Sequence, residues 1–300
     1  MVSADLYPWH GRHHDVGQGV RLHYLDEGRG EPLVMLHGNP TWSFYFRELI
    51  RGLSGSYRVV APDHVGCGLS DKPGDAEYDY TLERRVKDLE GLLSSLGISR
   101  GITLVLHDWG GMIGLAFAVR HPEAVSRIVL LNTAGFPLPE KKLLPWQIGL
   151  VKRLGRFEWP VRGLNAFVRG ALRTASVKPG RMTPEVRQGY LAPYDSWDHR
   201  IAVQRFVEDI PLGPEHRTWG LVQEVSTGLA KLAHLPTLIC WGRHDFVFDD
   251  HFLAEWRLRL PSAEEHVFEE AGHFVLDDAH EKVLPLVRSF LQRHPAEAGA

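Results

Sequence analysis

Short runs of apolar residues recur along the chain and predict the strands of a buried sheet. The runs consist mostly of Val, Ile and Leu. Strands that are apolar on both faces are typical of parallel sheets that helices cover on each side. The runs are Leu33–Leu36, Arg58–Ala61, Ile102–Leu106, Ile128–Leu131, Leu238–Trp241 and His266–Phe268.

The segments between these runs carry the spacing of helices. After Thr81, apolar residues recur with helical spacing up to position 96, which predicts a helix with Thr81 as its N-cap and Gly97 at its end. Residues 110–120 and 281–293 predict two further helices. Residues 20–25 alternate apolar and polar after a glycine-rich turn and predict a hairpin strand. Strand and helix thus alternate, which predicts an α/β fold with a mostly parallel central sheet.

The pattern changes at about residue 135. Residues 137–233 are rich in Pro, Trp and Arg and contain no run that predicts a buried strand. We therefore predict one α/β core, formed by residues 1–134 and 234–300, that is interrupted by a helical cap at 135–233. A cap in this position would cover the carboxyl edge of the sheet, where open α/β sheets bind their ligands.

The composition excludes several classes of protein. The 300 residues include 34 Lys and Arg against 37 Asp and Glu, a net charge of −3, which leaves no broad basic surface for nucleic acid. With 44% hydrophobic residues and two cysteines, the chain fits neither a disordered protein nor a disulfide-rich secreted one. The first residues lack the pattern of a signal peptide, and no apolar run reaches the roughly 18 residues of a membrane span. We expect a cytoplasmic protein without a cofactor or a metal.

One stretch departs from this near-neutral balance. Residues 141–173 contain eight Lys or Arg and one acidic residue, Glu158, so the stretch carries +7 and the rest of the chain −10. Leu, Trp, Phe and Val between the charges make it a basic amphipathic segment. Two interpretations stay open: peripheral contact with a membrane surface or a partner, and a solvated face whose long basic stems cover apolar surface.

A strand that runs into Asp108 is the strongest indication of chemistry. The motif His107-Asp108-Trp109-Gly110-Gly111 follows the strand predicted at 102–106 and opens the next helix. A sharp turn of this kind projects one side chain above the sheet, and glycines after it let the helix approach closely. The backbone N–H that follows acts as an oxyanion donor. The motif predicts Asp108 as a nucleophile, although by itself it also fits an aspartate that caps a helix.

Three further motifs follow predicted strands. His37-Gly38-Asn39-Pro40 comes after the first buried strand and predicts the loop that completes an oxyanion site. Asp245 and His273 come after the last two strands. The order Asp108, Asp245, His273 is that of nucleophile, acid and histidine in hydrolases of this architecture. A carboxylate that holds a histidine orients it as a general base, so the set predicts an active site at the carboxyl edge of the sheet.

These motifs resemble those of α/β-hydrolases of the haloalkane dehalogenase group. The similar stretches read HGNPTWSFYFRELI, PDHVGCGLSDKP and LHDWGGMIG. The resemblance implies that Asp108 is the nucleophile, His273 the base and Asp245 its partner. It also implies that the side-chain N–H groups of Asn39 and Trp109 hold the leaving group.

Other stretches, several of them in the predicted cap, carry a narrower resemblance. They read NTAGFPLP, APYDSWDHRIAVQRFVEDIPL, WGRHDFVFDDHFL and EAGHFVLDDAHE, and they are similar to the β-lactone decarboxylases of bacterial long-chain olefin biosynthesis. The resemblance implies conversion of a cis-2,3-dialkyl β-lactone, a small apolar substrate, into an alkene and carbon dioxide. It also implies assembly with a β-lactone synthetase and a reductase. Attack of Asp108 on the saturated ring carbon and attack on the carbonyl both stay open.

Three other functions remain as alternatives. Haloalkane hydrolysis through an alkyl-enzyme ester is the first. An epoxide hydrolase would need two cap tyrosines to hold the epoxide oxygen, and the short spacing of Tyr190 and Tyr194 does not favour it. A non-enzymatic scaffold commonly lacks part of the catalytic set, which this chain retains. Cap aromatics predict either a lining for alkyl chains or ordinary core packing; they are Trp146, Trp159, Phe167, Trp197 and Phe206.

Overall fold

A computed structural model of the chain describes residues 2–154 and 158–296. Its strands are β1 (Arg12–Asp15), β2 (Arg21–Glu27), β3 (Pro32–Leu36), β4 (Arg58–Pro62), β5 (Ile102–Asp108), β6 (Val125–Thr133), β7 (Thr237–Gly242) and β8 (Glu264–Phe268). Its helices are α1 (Arg47–Leu53), α2 (Leu82–Ser95), α3 (Trp109–Arg120), α4 (Trp146–Leu154), α5 (Ala166–Thr174), α6 (Pro184–Leu191), α7 (Ile201–Glu208), α8 (Trp219–Gly228), α9 (Asp250–Arg259) and α10 (Val275–Arg293).

The strands form a single sheet in the order β1-β2-β4-β3-β5-β6-β7-β8. Strand β2 pairs antiparallel with β1 and β4, and every other pairing is parallel. All seven residues of β5, at the centre, are buried. The predicted α/β fold with a mostly parallel sheet is confirmed.

Helices cover both faces of this sheet. Apolar side chains of α2, α3, α8 and α9 pack in one cluster on the first face. Those of α1 and α10 pack in a second cluster on the other face, together with residues of α4 to α7. The hydrophobic side chains that leave the sheet in opposite directions therefore meet two separate helical layers, as the unbroken apolar runs predict.

The described elements between β6 and β7 are all helical. They include α4 to α8, so the expectation that residues 137–233 contain no buried strand holds for the described part of that segment. The division of the chain into core and cap at residues 134 and 234 stays a prediction. Residues 155–157, which include one of the eight basic residues of the 141–173 stretch, lie outside the described residues.

The last helix begins earlier than its sequence pattern predicts. It starts at Val275 rather than 281, with non-helical backbone angles at Ala279. Its first turn holds Asp277 and Asp278, which are both buried. These carboxylates accept hydrogen bonds from groups in distant parts of the chain. Because they are polar, the first turn of the helix lacks the apolar spacing that would predict it, although both residues are buried.

A buried ion pair joins this turn to α1 and to the helices that precede β7. Asp277 accepts a hydrogen bond from Nη2 of Arg47 at 2.6 Å and one from the hydroxyl of Tyr190, in α6, also at 2.6 Å. Tyr194 is equally buried and donates to the carbonyl of Thr41 at 3.2 Å. Both tyrosines therefore bridge these helices to the core.

Within residues 2–154 and 158–296, none of the helices has the length and apolar character needed to cross a bilayer.

We predict that Arg47→Met lowers the free energy of unfolding by about 3–5 kcal/mol, because it leaves the buried Asp277 carboxylate without its cation. Arg51→Met is the matched control on the same helix. Arg51 is exposed and pairs with Glu48 at 2.9 Å, so its loss is expected to change stability by less than about 1 kcal/mol. Urea denaturation of the two variants checks this, and equal losses would contradict it.

Candidate active site

Asp108 stands at a sharp turn between β5 and α3. Its φ of 51° and ψ of −126° lie outside the regions that L-residues ordinarily adopt. The turn follows the last hydrogen-bonded position of the strand, and α3 begins at the next residue. The carboxylate therefore projects above the carboxyl edge of the sheet, as the elbow motif predicts.

Three glycines around this turn leave no room for a side chain. A Cβ on Gly110 would lie 1.9 Å from the carbonyl oxygen of Leu36, and one on Gly111 would lie 1.8 Å from Oγ1 of Thr133. A Cβ on Gly38 would lie 1.9 Å from Oδ1 of Asp108 itself. Strand, loop and helix meet at the carboxylate in a space that only these glycines allow.

Backbone N–H groups hold the Asp108 carboxylate. The N–H of Asn39 donates to Oδ1 at 2.6 Å, and the N–H of Trp109 donates to the same side chain. Burial raises the pKa of Asp108, while the nearby His273 and the two N–H groups oppose that rise. The carboxylate is thus desolvated and aimed, with hydrogen bonds that favour its ionised form.

His273 lies between two carboxylates. Its Nδ1 is 2.7 Å from Oδ2 of Asp245, and its Nε2 is 3.7 Å from Oδ2 of Asp108. Oδ1 of Asp245 accepts the N–H groups of Val247 and Phe248 at 2.7 and 3.0 Å. Burial lowers the pKa of His273, but the two carboxylates outweigh burial and raise the pKa above its ordinary value. The structure brings together all three residues that the sequence assigns to one site.

Asn39 and Trp109 lie beside Asp108. They contact their surroundings through the backbone as well as through their side chains. One amide hydrogen of Asn39 bonds to the carbonyl of Val203, in α7, at 3.1 Å. Its Oδ1 is buried and has no hydrogen-bond partner among the described residues. The Trp109 ring packs against Phe206 at a centroid distance of 5.4 Å and lines the cavity above Asp108. The sequence predicts the N–H of Trp109 and the Asn39 loop as an oxyanion site, and in the structure the two backbone N–H groups donate to the Asp108 carboxylate itself.

Two residues at the end of β6 also shape the site and were missed. Thr133 donates its hydroxyl to the carbonyl of Asp108 at 2.5 Å. Asn132 exchanges two hydrogen bonds with the backbone of Gly242, at 2.7 and 3.1 Å. These bonds anchor the elbow and the end of β7, from which Asp245 follows. The sequence feature that could have indicated both residues is their position directly after the predicted run Ile128–Leu131, in the stretch NTAGFPLP.

A largely apolar cavity of about 400 Å³ opens above Asp108. Its lining includes Asn39, Asp108, Trp109 and His273 at one end, and the other lining residues except Thr174 are apolar. No lysine or arginine lines it among the described residues. Of the cap aromatics, Trp146 and Phe167 contribute to the lining, whereas Trp197 stacks with Arg162 at 4.7 Å.

Several other histidines and both cysteines have structural surroundings. His107 Nε2 bonds to the carbonyl of His273 at 3.0 Å, and the N–H of His64 donates to His37 Nε2 at 2.9 Å. The N–H of the exposed His244 donates to Ala271 O at 2.9 Å. Burial raises the pKa of the Cys67 thiol to about 11, and Cys240 is also buried. No group of three or more His, Cys, Asp or Glu in the described part of the chain could hold a metal ion.

Comparison with known proteins shows the family to which the chain belongs. Residues 31–279 match the family model described as the alpha/beta hydrolase fold. The solved haloalkane dehalogenase of Agrobacterium tumefaciens C58 superposes with a TM-score of 0.83 at 26% identity, covering 94% of this chain and 97% of that one. Haloalkane dehalogenase 2 of Mycobacterium tuberculosis is 30% identical over 94% of each chain.

Two curated relatives are more similar, and both are named cis-3-alkyl-4-alkyloxetan-2-one decarboxylase. The protein of Shewanella oneidensis is 49% identical over 93% of this chain and 88% of its own length. That of Xanthomonas campestris pv. campestris is 49% identical over 94% of this chain and 95% of its own length. The chain therefore belongs to the α/β-hydrolase fold family and, within it, to the haloalkane dehalogenase-like proteins that include these oxetanone decarboxylases.

Proposed function

We propose that this protein is a β-lactone decarboxylase that converts a cis-3,4-dialkyl-oxetan-2-one into a cis-alkene and carbon dioxide. The observation that carries the proposal is the ionisable carboxylate of Asp108 at the polar end of an otherwise apolar cavity. A desolvated, positioned carboxylate is an effective nucleophile toward a saturated carbon. The names of the two relatives at 49% identity support the same substrate class.

In the first step, an oxygen of Asp108 attacks the ring carbon that bears the lactone oxygen. The new carbon–oxygen bond forms as the ring carbon–oxygen bond breaks, and the electron pair leaves with the substrate carboxylate. The product is an alkyl ester on Asp108 with a carboxylate on the neighbouring carbon. Attack from behind the leaving oxygen inverts this carbon.

The second step restores the enzyme. The bond between the neighbouring carbon and its carboxylate breaks, its electrons form the double bond, and the ester bond to Asp108 breaks in turn. Carbon dioxide leaves and Asp108 is again a carboxylate, so neither water nor a proton is consumed. One inversion followed by one anti elimination converts a cis lactone into a cis alkene.

The groups around Asp108 suit the released carboxylate. The side chains of Trp109 and Asn39 line the cavity together with Asp108, and in the proposed role their N–H groups donate hydrogen bonds to the released carboxylate. His273 has a raised pKa between two carboxylates. In the proposed role its imidazolium compensates negative charge that passes from Asp108 to the substrate.

Haloalkane hydrolysis is the second candidate, and one observation favours it. The pair His273 and Asp245, joined at 2.7 Å, is a complete base for activating water, and the decarboxylation drawn above needs no such base. In hydrolysis, Asp108 would displace halide and His273 would direct water at the resulting ester.

Two substrates offered in parallel separate these functions. Purified protein with a cis-3,4-dialkyl-oxetan-2-one is expected to release the cis-alkene, measured by gas chromatography, while a 1-haloalkane releases no halide. Alkene formation supports the proposal. Halide release without alkene would assign the protein to haloalkane hydrolysis instead.

Asp108→Ala is expected to lower alkene formation at least about 10⁴-fold, because a lost nucleophile typically removes most of an enzyme's acceleration. Asp198→Ala removes an aspartate whose side chain is 85% exposed and serves as the matched control. Steady-state rates on the lactone give the comparison, with circular dichroism to check folding. Substantial activity in Asp108→Ala would rule out attack by this carboxylate.

The pH dependence follows from the carboxylate and the histidine. Asp108 must be ionised to attack, and its pKa is raised above the ordinary 3.8, so alkene formation is lost as pH falls through that raised value. Hydrolysis would in addition need neutral His273, whose pKa is raised above 6.5, and would keep rising to higher pH. For the lactone, we expect kcat/KM to rise at a lower pH than hydrolysis would, with the ionisation of Asp108, and to fall as His273 loses its proton. A rise in kcat/KM that follows deprotonation of His273 would contradict the water-free route.

A further inference from the structure

Exposed apolar side chains of this protein lie in the segment that lines the cavity, and some of them lie at its mouth. In the described part of the chain, all but two of the large exposed ones, Leu69 and Leu258, lie between positions 143 and 212. Trp146 and Leu150 line the cavity and are still 73% and 49% exposed, so they form its rim. Leu143, 86% exposed, directly precedes another lining residue. The cavity thus opens through an apolar collar rather than through polar surface.

Helix α4 shows how this collar is built. Trp146, Leu150 and Arg153 follow one another at spacings of one turn, and all three are exposed. The opposite side carries the buried Ile148 and Val151. A helix whose outward stripe is apolar as well as basic is unusual for a surface in contact with water, where polar residues normally face outward.

Four basic residues of the 141–173 stretch have no carboxylate partner among the described residues. Of the basic residues of the 141–173 stretch, Lys142 pairs with Asp249, and Arg162 pairs with Glu158. Lys152 donates to backbone carbonyls. The exposed side chains with no ion pair among the described residues are Lys141, Arg153, Arg169 and Arg173.

Helix α5 places two of these cations next to the opening. Gly170 and Thr174 line the cavity. Arg169 and Arg173 directly precede them on the same helix, are exposed, and are four residues apart, so they point to one side. The rim therefore carries apolar side chains at its centre and unpaired cations beside them.

We propose that the mouth of the cavity docks on an anionic phospholipid surface. The collar of Leu143, Trp146 and Leu150 enters the headgroup region, and the unpaired cations at 141, 153, 169 and 173 bind lipid phosphates. An amphipathic basic surface of this kind binds membranes through buried apolar area together with attraction to anionic lipids. Docking in this orientation opens the cavity toward the bilayer. The proposal of docking depends only on the residues of this surface. Delivery of a dialkyl lactone from the bilayer rests in addition on the proposed function.

Vesicle co-sedimentation of the full chain tests the docking. The vesicles consist of phosphatidylcholine alone or of phosphatidylcholine with phosphatidylglycerol. We expect binding to the anionic vesicles only, and weaker binding as salt is raised. The variant Arg153→Gln/Arg169→Gln/Arg173→Gln is expected to lower the partition coefficient about a hundredfold, since each basic residue near an anionic surface contributes about fivefold.

A matched triple variant removes the same charge from the opposite edge of the sheet. Arg29, Arg100 and Lys231 are exposed, have no ion pair among the described residues, and precede β3, β5 and β7. Their replacement by Gln is expected to change vesicle binding less than about fivefold. Equal losses in the two triple variants, equal binding to both vesicle types, or no binding at all would overturn the proposal. Sedimentation without vesicles would mean that copies of the chain meet through this surface, and would overturn it too.

Measurement of alkene formation with the same protein variants tests docking and the proposed reaction separately. None of the side chains of Arg153, Arg169 and Arg173 lines the cavity, so alkene formation from detergent-dispersed lactone is expected to survive in the rim variant. Lost vesicle binding with retained alkene formation supports docking. If the unaltered chain binds anionic vesicles but forms no alkene, docking stands and the proposed reaction is rejected.

Discussion

Asp108 holds backbone angles that only the surrounding structure can impose. A non-glycine residue in such a region carries roughly 1–3 kcal/mol of strain, and here several neighbours keep it in place. Thr133 binds its carbonyl, and glycines at 38, 110 and 111 let strand, loop and helix close around it. The conformation also sets the carboxylate at the first turn of α3, where helix N–H groups favour negative charge. The position of every other group in the site is defined relative to this turn.

The same burial that makes the carboxylate reactive also works against its charge. Burial raises the pKa of Asp108, and the N–H groups of Asn39 and Trp109 and the imidazole of His273 oppose it. His273 itself depends on Asp245, which two backbone N–H groups hold in turn. Each charged group of the site is therefore stabilised by a neighbouring group, beginning with the buried Asp108 carboxylate. His273 lowers the pKa of Asp108 and Asp108 raises the pKa of His273, so these two groups titrate as a coupled pair.

The sequence predicts those features that depend on neighbours along the chain. The buried strands β3 to β7 are readable because both of their faces are apolar, and the elbow is readable because it follows such a strand. The histidine loop follows the half-buried β8, of which the sequence indicates only the run His266–Phe268. Strand β1, Arg12–Asp15, has no apolar pattern because it lies at the edge of the sheet. The sequence does not show the early start of α10, because the burial of Asp277 depends on its ion pair with Arg47, 230 positions away. The bond from the Asn39 N–H to Asp108, and the bonds from Asn132 and Thr133, likewise depend on contacts that only folding creates.

Apart from Thr174, the polar side chains of the cavity lie at one end, and for the proposed reaction this has a consequence for turnover. The lactone has a carboxyl group that can meet the N–H donors beside Asp108, but the alkene has none. Once carbon dioxide has left, the hydrocarbon is held by apolar contacts alone, and the donors return to solvation by water. Release of the product is then a partition of the hydrocarbon between the apolar cavity and the medium that receives it. Chain length, which adds roughly 0.8 kcal/mol of transfer free energy for each methylene, would slow release into water while leaving the chemical steps unchanged.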